Sequence, residues 1–237
     1  GAKGDLDAAE ERLSFARTLI DTILQRLKDL QAARDAARAE LAAAQADFDA
    51  GWQYVHSNDP DVGKNPEQAL AQAGALLKEA NAELQQARPN WLAIVKQALE
   101  ANRLADQAIA NARGEVAAMN ALREQAQRAQ QLAAGEVQKI NQFVGLHEND
   151  LPGDTPERLA ALQAELQAAY AALQAAERSE ETARANNLRN AVQGYTDVAQ
   201  HAEQLYSALY EAFQQLDQLR HELAREVEAA ERALAQA

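Results

Sequence analysis

The chain has 237 residues, 47% apolar by type but only 5% aromatic, and alanine alone makes up about a quarter of it. Ten Gly and five Pro are too few for a β-sandwich or barrel, which turns about every 8 to 12 residues. With 36 acidic against 23 basic residues the net charge is −13, which repels nucleic acid and anionic lipid, and the absence of Cys excludes a disulfide framework, a thiolate nucleophile and a cysteine zinc site.

From Leu6 onward, small or apolar residues recur in alternating steps of three and four: Leu6, Ala9, Leu13, Ala16, Ile20, Ile23, Leu27 and Leu30, then Ala37, Leu41, Ala44, Phe48 and Val55. This is a heptad seam, interrupted at Arg34 and Gly51, and it predicts a first helix over about 5–57, with Asp5 or Asp7 in its first turn. Residues 58–65 gather Pro60, Gly63 and short polar side chains and predict a loop. Asn65 then reads as a helix cap, with Pro66 at the first helical position and Gln68 closing a capping-box pair. A second loop of the same design spans 148–154, with Thr155 as cap and Pro156 behind it. No apolar run approaches the roughly 18 residues that span a bilayer.

The two loops belong to an internal repeat. A shift of 89 residues lays Tyr54 and Val55 on Phe143 and Val144, Leu70, Leu77 and Leu84 on Leu159, Leu166 and Leu173, and Ile20 on Ile109. Two architectures fit. In the first, helices of about 5–57, 66–147 and 155–237 form one elongated antiparallel three-helix coiled coil over residues 1–237, about 120 Å long at 1.5 Å per residue. In the second, the chain also breaks near Pro89 and Ser179, giving tandem triple-helical repeats with Pro89 at a first helical position and Ser179 as a cap. Proline inside a helix costs about 3 kcal/mol, which favours the second. The seam Leu77, Ala80, Leu84, Ala87, Trp91, Ile94, Ala98 passes through Pro89 in phase, and neither site contains Gly, which favours the first. Continuous helices also bring Trp91 and Ile94 level with Leu27, Leu30, Tyr206, Tyr210 and Phe213, Phe15 level with Ile109 and Tyr195, and Phe48 level with Leu76 and Val227. Breaks would leave the apolar stretches 6–30 and 205–234 without partners in the chain. On that balance continuous helices are expected. Helices two and three would then extend past helix one as a two-helix arm with an alanine-rich interface at Ala126, Ala133, Ala161 and Ala169.

Trp91 after Arg88-Pro89, Trp52 near the end of the first helix, and the loops at 58–65 and 148–154 give the chain a pattern that resembles spectrin-type triple-helical repeats, and the bacterial septation-ring-regulator rods built from similar units. The resemblance covers most of the chain. It implies an interaction scaffold rather than a catalyst, and it transfers no binding residues. The start at Gly1 without Met reads as the product of a cleavage, leaving room upstream for a membrane anchor or an enzyme module.

Candidate chemistry is sparse. His56, His147, His201 and His221 have no partner at metal-ligand spacing and read as surface or helix-end residues. Asp59, Asp61 and Asn65 in one loop, and Glu148, Asp150 and Asp154 in the other, offer oxygen ligands. The calcium-loop order is absent, and turn formation accounts for them. Tyr206, Tyr210 and Phe213, with Trp91, could line a pocket, but their spacing is that of a core face. Arg17, Arg26, Arg34 and Arg38 interleave with acids as a solvated face, while Arg34 and Arg123 occupy seam positions and set register or extend their heads to water. No catalytic, cofactor-binding or metal-binding residue is assigned. The expectation is a non-enzymatic scaffold that binds a protein partner or itself, without nucleic acid or membrane insertion. The alternative is a ligand-sensing helical domain with a pocket around Trp91 and Tyr210.

Overall fold

The computed structural model describes residues 2–235, and among them the fold is all-α with no strand. Five helices follow in order: α1 (Ala2–Ser57), α2 (Lys64–Leu84), α3 (Trp91–His147), α4 (Thr155–Glu177) and α5 (Glu181–Leu234). Short 3-10 turns, Asp59–Asp61 and Glu148–Asp150, occupy the two predicted loops.

The helices expected to be continuous through Pro89 and Ser179 are not. Pro89 has no amide to donate and forces Arg88 away from helical geometry, so α2 stops at Leu84 and α3 begins at Trp91. Asn90 caps α3 from the position before its first residue, so Pro89 is not its first helical residue. Asn90 Oδ1 accepts from the Ala93 amide at 3.1 Å, and Glu83 Oε1 accepts from the Asn90 amide at 2.7 Å. At the second break Ser179 closes α4 instead of capping α5. Its hydroxyl donates back to the Ala175 carbonyl at 2.8 Å and accepts from Asn187 Nδ2 at 2.8 Å. The buried Arg184 guanidinium adds bonds to the carbonyls of Ser179, at 2.9 Å, and Glu177, at 3.2 Å, satisfying groups that a helix end leaves without partners. At the loops the starts move by one or two residues. Gly63 takes the cap position of α2, so Asn65 and Pro66 lie within its first turn. Thr155 is the first residue of α4, its hydroxyl donating to the Pro152 carbonyl at 2.6 Å.

The chain forms two compact units, Gly1–Glu115 and Val116–Ala237, each with a core drawn from three helical segments. In the first, Ala37, Leu41 and Ala44 of α1 meet Ala73, Leu77 and Ala80 of α2 and Ile94, Ala98 and Ala101 of α3. In the second, Ala133, Val137 and Ile140 of α3 meet Leu162 and Ala169 of α4 and Tyr195, Val198, Ala202, Leu205 and Leu209 of α5. Alanine on so many core positions lets helix axes approach closely. Gly51 marks the extreme, where a Cβ would come within 3.0 Å of Leu70 Cδ2 and 3.3 Å of Ile109 Cγ1. The same face is used twice: Ala98, Ala101, Ala105, Ala108 and Ala112 of α3 are buried, and so, 90 residues on, are Leu188, Ala191, Tyr195, Val198 and Ala202 of α5.

This architecture reverses several pairings expected from continuous helices. The second unit has three segments where a two-helix arm is expected, and Ala161 is exposed while Ala126, Ala133 and Ala169 are buried. Trp91 packs on the first unit's core, whereas Tyr206 packs on the second's. Phe15 is 71% exposed instead of lying against Ile109 and Tyr195. Phe48 does share a core with Leu76, but Val227 is exposed. The stretch 6–30 stands without cover, as the alternative with breaks requires, while in 205–234 Leu205 and Leu209 are buried and the exposed part begins beyond Leu216.

Candidate functional site

The aromatic side chains of the second unit gather where α3 ends. Phe143 and His147, one turn apart on α3, face Tyr206, Tyr210 and Phe213, which stand at steps of four and three on α5. Phe143 meets the edge of Tyr206 at 5.3 Å and of Phe213 at 6.0 Å between ring centroids, and His147 lies 4.2 Å from Phe213. The Lys139 ammonium sits 4.2 Å above the Tyr206 ring. The cluster is a packed plug. Trp91 packs against the core of the first unit, and Tyr210 stacks on Tyr206 in the second.

The four histidines are dispersed. His201 Nδ1 lies 2.8 Å from Glu165 Oε2 across α5 and α4, and this hydrogen bond, with the carboxylate's charge, holds the imidazole pKa above its ordinary value. His221 is 3.7 Å from Asp217 on its own helix, and His56 is exposed. The acidic turns are dispersed too. Asp150 accepts from Arg220 at 2.5 Å, which keeps its carboxyl below the usual range, and Asp59 and Asn65 face solvent. Among the described residues no three His, Asp or Glu side chains converge as a metal site would need. The two seam arginines diverge in use. Arg34 pairs with its neighbour Asp35, whereas Arg123 reaches from α3 to the end of α4 and grips both oxygens of Glu177, at 3.0 and 3.3 Å.

Clefts are shallow. One of about 270 Å³ is lined by Arg158, Glu165, His201 and Gln204, and one of about 210 Å³ by Gln130, Leu166, Gln167, Tyr170 and Tyr195. Others, of about 330, 360 and 520 Å³, reach the lower part of the roughly 300–1,000 Å³ range of ordinary small-molecule sites, but they too are open surface grooves, the last lined by Thr18, Asp21, Thr22, Gln25 and Arg26 of α1 alone. Tyr195 is fully buried with its hydroxyl unbonded, and desolvation, followed by the charge of nearby Tyr170, raises its pKa. Sequence reasoning missed Tyr195 and Arg184 as special positions, because each stands at regular helical spacing with nothing to mark it.

The dominant surface feature is apolar. Leu6, Leu13, Ile20 and Leu27, with Ala9, Ala16, Ile23 and Leu30, are exposed along one side of α1, and Leu19 and Leu24 widen the stripe. On α5, Leu219, Leu223, Val227 and Leu234 are 48–78% exposed. The α1 stripe continues, without a change of step, the seam that is buried from Ala37 onward; the α5 stripe continues the seam that is buried up to Leu209 as far as Leu223 and then shifts by one residue to Val227 and Leu234. Apolar residues contiguous over this length are more than the scattered ones an ordinary surface carries. No helix among the described residues is long and apolar enough to cross a membrane. Compared with models of protein families, with curated proteins and with solved structures, the chain matches none.

Proposed function

We propose that this chain is a non-catalytic coiled-coil scaffold of spectrin-like repeats, which spaces or tethers proteins by pairing helix faces. The observation that carries the reading is the continuity of the seams. The stripe that builds each core runs on along 6–30 of α1, in phase, and along 219–234 of α5, with a shift of one residue after Leu223, and there it faces solvent. A sequence that only had to fold would place polar residues there, because exposed leucines add no stability to the monomer. Dispersed histidines, acids engaged in turns and clefts that are open grooves instead of enclosed pockets fit the same reading.

The competing ligand-sensor reading rests on the cleft beside Tyr195 and Tyr170, where a buried hydroxyl could bond a small polar ligand. A thermal-shift screen of metabolites, nucleotides and divalent cations separates the two. The scaffold predicts no compound that raises Tm by more than about 2 °C, less than one well-made ligand contact would give. A hit that Tyr170→Ala abolishes would replace the scaffold with the sensor.

A further inference from the structure

We infer that the occupant of both exposed seams is a second copy of this chain, the α1 seam of one copy lying parallel to the α5 seam of the next, head to tail. The inference rests on the scaffold reading and names its partner. Continuity with the two cores selects this occupant. Counted 89 residues forward, Ala9, Ala16, Ile23 and Leu30 of α1 fall on Ala98, Ala105, Ala112 and Met119 of α3, every one buried. Counted 90 residues back, Leu216, Leu223, Val227 and Ala230 of α5 fall on Ala126, Ala133, Val137 and Ile140 of α3, again every one buried. The α1 seam therefore carries the pattern of the segment that enters a core last, and the α5 seam the pattern of the segment that enters a core first.

In each unit those two kinds of segment pack on one another in parallel. In the first, Gly51 meets Ile109, and Tyr54 lies under the Arg113 guanidinium, so partner numbers rise together. In the second, Phe143 meets Tyr206 and His147 meets Phe213, rising together again. The two exposed seams are thus complementary halves of an interface the chain already makes twice.

Carrying the register of Gly51 on Ile109 over to the seams brings Leu216, Leu223 and Ala230 level with Leu6, Leu13 and Ile20 of the second copy. At this register Glu222 falls level with Arg12 and Glu228 within one residue of Arg17, while Asp217 and Glu231 fall level with Asp7 and Asp21. Twelve large apolar side chains on the two seams are 48–78% exposed. Covering most of them buries on the order of 1,000 Å², the size at which a specific interface begins. Because the contact joins unlike surfaces, it propagates rather than closing on a two-fold axis.

Sedimentation equilibrium of the full chain tests this, with two variants altered only at exposed positions: Leu13→Glu with Ile20→Glu, and Leu223→Glu with Val227→Glu. Circular dichroism checks that both keep the native helix content. The wild-type mass should rise with concentration beyond two chains, each variant alone should stay monomeric, and an equimolar mixture should form a one-to-one dimer and nothing larger, since one intact seam of each kind remains. A wild-type chain that is monomeric up to about 100 μM, weaker than about −5.5 kcal/mol, would overturn the proposal, as would either variant associating alone or a mixture that stays monomeric. None of these outcomes touches the scaffold reading itself, which stands or falls on the ligand screen.

Discussion

At Gly51 and Gly135 the same residue type sits in a helix for opposite reasons. A Cβ on Gly51 would press on Leu70, itself fully buried, and on Ile109, whereas a Cβ on Gly135 meets nothing within 4 Å. Gly135→Ala should therefore raise stability by about 0.5–1 kcal/mol, by reducing the freedom of the unfolded chain. Gly51→Val should lower it by about 1–3 kcal/mol through overpacking, and thermal denaturation of both variants checks the contrast. The His201–Glu165 pair makes a second prediction at this scale. The folded imidazole titrates above its ordinary value because it bonds the Glu165 carboxylate, so the pair stabilises the fold below that ordinary value and stops doing so as pH rises through the raised one. Urea unfolding should show His201→Gln destabilised near pH 6 and indistinguishable from wild type near pH 9. A loss that is equal at both pH values would mean the histidine acts by packing.

At the scale of the helix, the breaks at Pro89 and Ser179 show what heptad phase can and cannot report. Leu77, Ala80, Leu84, Trp91, Ile94 and Ala98 keep their spacing across Pro89, and that regularity argues for one helix. The chain instead reverses between Leu84 and Trp91 and resumes in the same phase, because α2 and α3 both present that stripe to one core. Local chemistry carried the better signal: a proline, followed by an asparagine able to cap, with Glu83 able to answer it. Asn90→Ala should cost about 1 kcal/mol, measured by urea denaturation, while Asn90→Ser should recover most of it. The second break was harder to read, since it has neither Gly nor Pro. Its closure depends on Arg184, whose bonds to the ends of two carbonyl rows exist only once α4 and α5 have met.

Across the whole molecule, the helical class and the two loops were legible because each follows from periodicity or from turn residues close together in sequence. The pairing of segments was not, since Leu13 in a free seam and Leu41 in a core have the same local signature and only the fold tells them apart. The central claim is that division: two cores, each closed by three segments, and two seams left uncovered. An isolated helix without tertiary cover is marginal in water, so the uncovered stretches should open far more easily than the cores. Residue-resolved hydrogen exchange on the dilute monomer reads this directly. The account predicts slow exchange across 37–55 and the buried turns of α3 and α5 up to Leu209, and fast exchange across 5–30 and 219–234. Equal protection of those two stretches and the cores in the dilute chain would contradict it.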